Sequence, residues 1–193
     1  MSPWNRRTVQ SAVQIPALET VRLTLRGHSL DDFPPSAAMW ADPIVTRHFG
    51  GKSLTEEEAW TRFLRYAGHW ALLGFGYWLV EEKATGKFVG EIGFSDYKRG
   101  IDSALRDVPE IGWVLASESH RKGYATEAVR AAIAWGDHHF GSSRTTCLIH
   151  PENLPSIRVA EKCGYRELQR TTYKGQPSIV FVREPRSAVN STP

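Results

Sequence analysis

Between Glu110 and Ala128 the chain reads Glu110-Ile111-Gly112-Trp113-Val114-Leu115, then Ala116 to His120, then Arg121-Lys122-Gly123-Tyr124-Ala125-Thr126-Glu127-Ala128. An apolar, strand-like run ends in a short basic turn, and the turn opens directly into a helix-forming stretch. Gly123 allows the backbone to approach a ligand closely. The first amides of a helix have no partner inside it, and the helix dipole favours negative charge at that end, so a pyrophosphate can supply the missing acceptors. Arg121 and Lys122 add charge at the rim. On the glycine and the charges alone, a plain helix start with solvated basic residues explains the stretch equally well.

A second stretch runs from His150 to Tyr165, His-Pro-Glu-Asn-Leu-Pro-Ser-Ile-Arg-Val-Ala-Glu-Lys-Cys-Gly-Tyr. Asn153 stands at the start of a helical pattern with Ser156 one turn on, and Gly164 stands at its end. Taken singly, Asn153 is an N-cap and Gly164 a C-cap.

The elements that must carry these residues follow from periodicity. Leu23 and Leu25, with Val21 before them, alternate with Arg22, Thr24 and Arg26 as in a half-buried strand. Ser29 to Trp40 predicts a short or broken helix because of Pro34 and Pro35. Thr55 followed by Glu56, Glu57 and Glu58 predicts a capped helix continued by Ala59, Phe63, Tyr66 and Trp70. Tyr77 to Glu82, Phe88 to Tyr97 and Glu110 to Ala116 predict an antiparallel meander with a turn at Thr85-Gly86. Gly123 to Phe140 predicts a helix, Thr145 to Ile149 a strand, Asn153 to Lys162 a helix, and Tyr165 to Tyr173 with Ser178 to Arg183 a last strand pair. The expected class is α/β (α+β): one domain with a mixed, mostly antiparallel central sheet flanked by helices. Its expected limits are 19–184, with an N-terminal extension 1–18 containing Trp4, Arg6 and Arg7 and a tail 185–193.

Bulk composition narrows the function classes. Twenty-four Lys and Arg against 21 Asp and Glu give a formal charge of +3, too slight to argue for a nucleic-acid partner. Cys147 and Cys163 have no companion Cys or His at metal-ligand spacing, so buried free thiols and no metal are expected. No run in Met1 to Leu18 is apolar enough for a signal peptide, and none later approaches a membrane span, so the expected location is cytoplasmic, without a membrane partner.

Together, the Gly-Tyr-Ala-Thr-Glu-Ala and Asn-Leu-Pro-Ser stretches, the latter trailed by Glu-Lys-Cys-Gly-Tyr, resemble the acetyl-CoA-binding signatures of the GNAT N-acetyltransferase superfamily. More narrowly they resemble the branch of ribosomal-protein N-terminal acetyltransferases of the RimJ and RimL kind, over about Val21 to Val182. The resemblance implies a pyrophosphate loop at His120, Arg121, Lys122, Gly123, Tyr124, Ala125 and Thr126. His120 takes the place where the family usually has Gln or Arg. It also implies a pantetheine arm between two splayed strands, bound by backbone groups of Trp113, Val114 and Leu115, with Asn153 and Ser156 facing the arm and thiol. The implied activity is acetyl transfer from acetyl-CoA to a primary amine, of a protein N-terminus or a small molecule, by direct attack in a ternary complex of a monomer or homodimer.

An ammonium has no lone pair, so a carboxylate near the thioester is expected to take its proton. Glu110 is the first choice and Glu91 the second. Many members carry a Tyr seven residues after the Asn, where it protonates the leaving thiolate. Here that position is Ala160, which leaves Ser156 as a donor or an unassisted thiolate. A module that binds acyl-CoA without turnover is the alternative. A dinucleotide-binding domain fits less well, because the glycine pattern is incomplete and the preceding strands read as antiparallel.

Overall fold

A computed structural model describes residues 13–185 of the chain. Trp4, Arg6 and Arg7, with the rest of 1–12 and with 186–193, lie outside the described residues. The strands are β1 (Leu18–Glu19), β2 (Leu23–Arg26), β3 (Tyr77–Glu82), β4 (Phe88–Ser95), β5 (Glu110–Leu115), β6 (Thr145–Ile149), β7 (Arg166–Tyr173) and β8 (Gln176–Arg183). The α-helices are α1 (Phe33–Ala41), α2 (Pro43–Thr46), α3 (Glu56–Leu73), α4 (Tyr124–His139) and α5 (Leu154–Lys162). The strands form one sheet in the order β1-β2-β3-β4-β5-β6-β8-β7, antiparallel everywhere except between β5 and β6. The expected mixed sheet flanked by helices is the one observed.

Local chemistry sets the element ends. Thr55 caps α3 by accepting the Glu58 N–H while Glu58 accepts the Thr55 N–H, the reciprocal box that three glutamates after a threonine predict. Ser29 and Asp32 form a similar box before a short 3-10 turn that runs into α1. Val21 departs from the alternation expected of it: it is 91% exposed. The Leu23 N–H donates to Thr20 Oγ1 and the Thr20 N–H to the Leu23 carbonyl, and this tight turn puts Val21 at its tip. The short α2 does not follow from periodicity; Asp42 caps it by accepting the Ile44 N–H, with Pro43 in its first turn. The last hairpin is tighter than expected, with β8 starting at Gln176, because Lys174 and Gly175 both take positive φ (50° and 76°) in a two-residue turn.

Two cores cover the two faces of the sheet. Trp78, Ile92, Phe94 and Ile111 pack against Ala128, Val129 and Ala132 of α4. On the opposite face Val114 packs with Met39 and Trp40 of α1 and Ala59 of α3. Successive β5 residues alternate between the faces, so Glu110, Gly112 and Val114 face α1 and α3 while Ile111, Trp113 and Leu115 face α4. Among the described residues no helix is long and apolar enough to cross a membrane.

Candidate functional site

Strands β5 and β6 are paired at one position only, Glu110 with Thr146, where the Thr146 N–H donates to the Pro109 carbonyl at 3.0 Å. Beyond it the strands part towards Leu115 and Ile149. Which β5 groups face the gap follows from hydrogen-bond alternation. The Phe94 N–H donates to Gly76 on the β3 side (3.1 Å), so Phe94 turns its polar groups away from β5, and its partner Ile111 turns its own away from β4. Trp113 and Leu115 share that direction. Their backbone groups therefore look into the gap, and those of Val114 look towards β4.

At the open end the chain leaves Leu115, turns through a short 3-10 segment and enters α4. Gly123 has φ +80° and Arg121 φ +62°. Among the described residues, the turn's backbone hydrogen bonds begin only where the Glu127 N–H reaches the Gly123 carbonyl (3.2 Å), and no N–H from Arg121 to Thr126 has a backbone acceptor. These orphan amides sit at the positive end of a 16-residue helix, the arrangement an anion completes. Arg22 pins the turn from outside, donating to the Lys122 carbonyl (3.0 Å) and pairing with Glu127 (2.6 Å). A Cβ on Gly123 would lie 3.4 Å from Arg22 Nη2, so glycine is needed there for its conformation more than for room on the ligand side. His120 Nε2 lies 3.0 Å from the Leu115 carbonyl, which commits its ring to the backbone. Lys122 lies over the Tyr124 ring, and the Tyr124 hydroxyl donates to Glu82. Ala125 and Thr126 follow in the first turn of α4.

Asn153 caps α5 as its sequence position predicts, Oδ1 accepting the Ser156 N–H at 3.2 Å, and both residues also line the cavity that the splayed strands open. That cavity, about 540 Å³, continues from the gap to the α1 and α3 face. Ala160 is fully buried in the core, so nothing at that position reaches the cavity. Cys147 also lines it, but burial pushes its thiol well above the ordinary range, as it does, less strongly, for Cys163.

The two carboxylates expected as bases meet different surroundings. Glu110 lines the cavity, and both its oxygens accept from Arg99, Nε to Oε2 at 2.6 Å and Nη2 to Oε1 at 2.8 Å. Glu91 is fully buried outside the cavity lining, accepting from Ser36 Oγ (2.5 Å) and Trp40 Nε1 (3.0 Å), with His28 Nε2 at 3.6 Å. Burial raises its pKa, but His28, Ser36 and Trp40 outweigh burial and hold it below the ordinary carboxylate value.

Several lining residues go unread in the sequence. Tyr77 lays its ring along β5, and a Cβ on Gly112 would stand 2.0 Å from its hydroxyl oxygen. The ring stacks on Tyr66 at 4.6 Å between centroids. Burial, followed by neighbouring Tyr97 and Tyr66, pushes the Tyr77 hydroxyl well above its ordinary pKa, so it remains a donor. Arg62 and Arg65 reach the cavity from α3, and His48 and His150 line it together, their ring centroids 5.7 Å apart. Burial, then Arg47 and His150, lowers the pKa of His48 and keeps it neutral near pH 7. With Glu152 the two histidines bring three potential ligand atoms within 4.8 Å of one another. The sequence signals that point here are Gly93 and Gly112, glycines inside strands, which mark close approach.

Residues 22–166 match the family described as "Acetyltransferase (GNAT) domain". The Bacillus subtilis protein YkkB is 30% identical over 149 residues, 76% of this chain and 82% of that one. A protein of Bordetella pertussis assigned to the GnaT family of acetyltransferases is 31% identical with a TM-score of 0.77, covering 88% of this chain and 99% of that one. The ribosomal-protein-S5-alanine acetyltransferase of Vibrio fischeri shares the fold, with a TM-score of 0.67 at 18% identity over 90% of this chain and 98% of that one.

Proposed function

The chain belongs to the GNAT acetyltransferase family and is an acetyl-CoA-dependent acetyltransferase, and from that premise we propose that it acetylates a primary amine by direct attack within a ternary complex. The observation that carries this reading is the pairing of a gap into which Trp113 and the Leu115 N–H turn with a turn at its open end whose six amides, Arg121 to Thr126, have no backbone acceptor among the described residues. The turn suits the pyrophosphate; the gap suits the pantetheine arm.

Acetyl-CoA supplies the activated acetyl group. The Leu115 N–H, turned into the gap, is the amide suited to polarise the thioester carbonyl; the Trp113 groups suit the amides of the arm. Asn153 fixes the first turn of α5 and so the place of Ser156. Glu110 takes the amine proton through water, on the lone pairs that Arg99 leaves free. The Tyr77 hydroxyl, held over Gly112, and the Ser156 hydroxyl are the two donors near the departing thiolate, in place of the family tyrosine that is Ala160 here. A covalent acyl-enzyme has no support, since both thiols are buried and pushed up.

The loss of that tyrosine favours a second reading, a module that binds acyl-CoA without turnover. The test combines calorimetric titration with acetyl-CoA and release of free thiol against a mixed pool of peptides and small amines, with mass spectrometry of the pool. Binding with thiol release and a gain of about 42 Da on one amine, the mass of one acetyl group replacing a proton, supports transfer. Binding with thiol release no faster than in the absence of amines supports the silent module.

A further inference from the structure

The charge lining the acceptor side of the cavity is one-sided. Arg62, Arg65, Arg99 and Lys174 are its cationic residues, and Glu110 is its carboxylate. Arg99 is matched, its Nε and Nη2 donating to the two oxygens of Glu110. Arg62, Arg65 and Lys174 form no ion pair among the described residues. Three cations are thus left uncompensated around a site meant for an amine, which as an ammonium they would repel.

The guanidinium groups are also held ready. Arg62 places its Cζ over the Trp40 ring, 4.0 Å from the centroid, and its Nε is buried without a hydrogen-bond partner among the described residues. Arg65 lies over Tyr97 at 4.9 Å, with Arg99 over the same ring at 4.7 Å. Stacking on an aromatic face fixes the plane of a guanidinium without using its N–H groups, which leaves its edge for a planar anion such as a carboxylate. Arg62 and Arg65 stand three residues apart on α3 and therefore on one side of it. Lys174 lines the same cavity from the β7–β8 turn.

We propose that the acceptor is an amine whose own molecule bears a carboxylate, with that carboxylate bound by Arg62 and Arg65 and its field completed by Lys174. This rests on the amine-acetylation reading and narrows it. The same cations disfavour the ammonium form and so raise the fraction of neutral, attacking amine.

The test measures kcat/KM for amino acids, each against its own carboxamide, together with diamines and with peptides that begin with Asp or Glu. Carboxylates are expected to exceed their carboxamides by about tenfold to a hundredfold, the range of a charge-assisted hydrogen bond. Arg62→Gln and Arg65→Gln are each expected to erase most of that ratio through KM. Activity confined to free amino acids identifies a small acceptor, and activity on the acidic peptides identifies a chain terminus; either supports the proposal. Equal rates for acid and amide, a preference for diamines, or a ratio that survives both substitutions overturns it while leaving acetyl transfer intact. If no amine is turned over, the transfer reading fails separately. Calorimetry of N-acetylated amino acids against the CoA-saturated protein then decides: binding lost in Arg62→Gln supports the anion site, and no binding overturns it.

Discussion

Gly112→Ala with Tyr77→Phe forms a double-mutant cycle that tests the geometry of the cavity floor. The added Cβ of Gly112→Ala would sit 2.0 Å from the Tyr77 hydroxyl oxygen and 3.2 Å from Cζ. A contact of 2.0 Å cannot be tolerated, so the ring must shift by more than about 1 Å, roughly the gap to an ordinary contact of about 3.4 Å. That shift strains the stack on Tyr66 and repacks a buried site. Overpacking of this kind costs about 1–3 kcal/mol, or a fall in Tm of roughly 2–12 °C for a domain of this size. Tyr77→Phe removes the oxygen and leaves Cζ as the nearest atom, a tight but survivable contact. Gly112→Ala should therefore cost much less when combined with Tyr77→Phe, with a coupling of about 1 kcal/mol or more. Thermal denaturation of the four proteins measures it. A cost for Gly112→Ala that is the same with and without Tyr77→Phe would refute the reasoning, since the clash would then not lie with the hydroxyl. Turnover follows the same cycle: Tyr77→Phe alone should lower kcat if the hydroxyl serves the thiolate, with little change in acetyl-CoA affinity.

Gly123→Ala forces a side chain into a backbone at φ +80°; at about 1–2 kcal/mol for such a conformation, calorimetry should show acetyl-CoA affinity reduced by roughly 5- to 30-fold. Glu91→Gln should destabilise the fold by about 1–3 kcal/mol while leaving the shape of the pH-rate profile unchanged. Glu91 is held below its ordinary pKa, so its contribution is present above the unfolded value of about 4.3 and is lost as pH falls through the lower folded value. Chemical denaturation of wild type and variant should accordingly converge in acid; a gap that widens there would contradict the sign. Glu110→Gln should reduce kcat/KM by about a hundredfold at low pH and less at high pH, where more of the amine is already neutral; an unchanged pH-rate profile removes Glu110 as the proton acceptor.

How much of this was legible in the sequence depended on how local the cause was. The capped start of α3 and the antiparallel meander of β3 to β5 follow from short-range patterns and are observed, with β4 ending at Ser95 instead of Tyr97. Val21 and α2 escaped periodicity because side-chain bonds of Thr20 and Asp42 to nearby amides bend the chain. The cofactor turn was readable because its residues are contiguous and its chemistry is that of a helix start. Apart from Glu110, the acceptor side was not, because Arg62, Tyr77, His150 and Lys174 come from separate segments that only the folded sheet and α3 bring together. Glu91 and Glu110 both stand in strands, and little in the sequence separates them as bases. Their difference, a buried carboxylate among Ser36 and Trp40 against one facing a cavity with Arg99, arises entirely from tertiary packing.

The central claim is that the amides from Arg121 to Thr126, with those of Trp113 and Leu115 in the gap, hold acetyl-CoA. Residue-resolved hydrogen exchange of these amides, with and without saturating acetyl-CoA, tests it directly. Slowed exchange at these positions is the predicted result. Acetyl-CoA that binds yet leaves their exchange unchanged, or NADH that slows it where acetyl-CoA does not, would contradict the account.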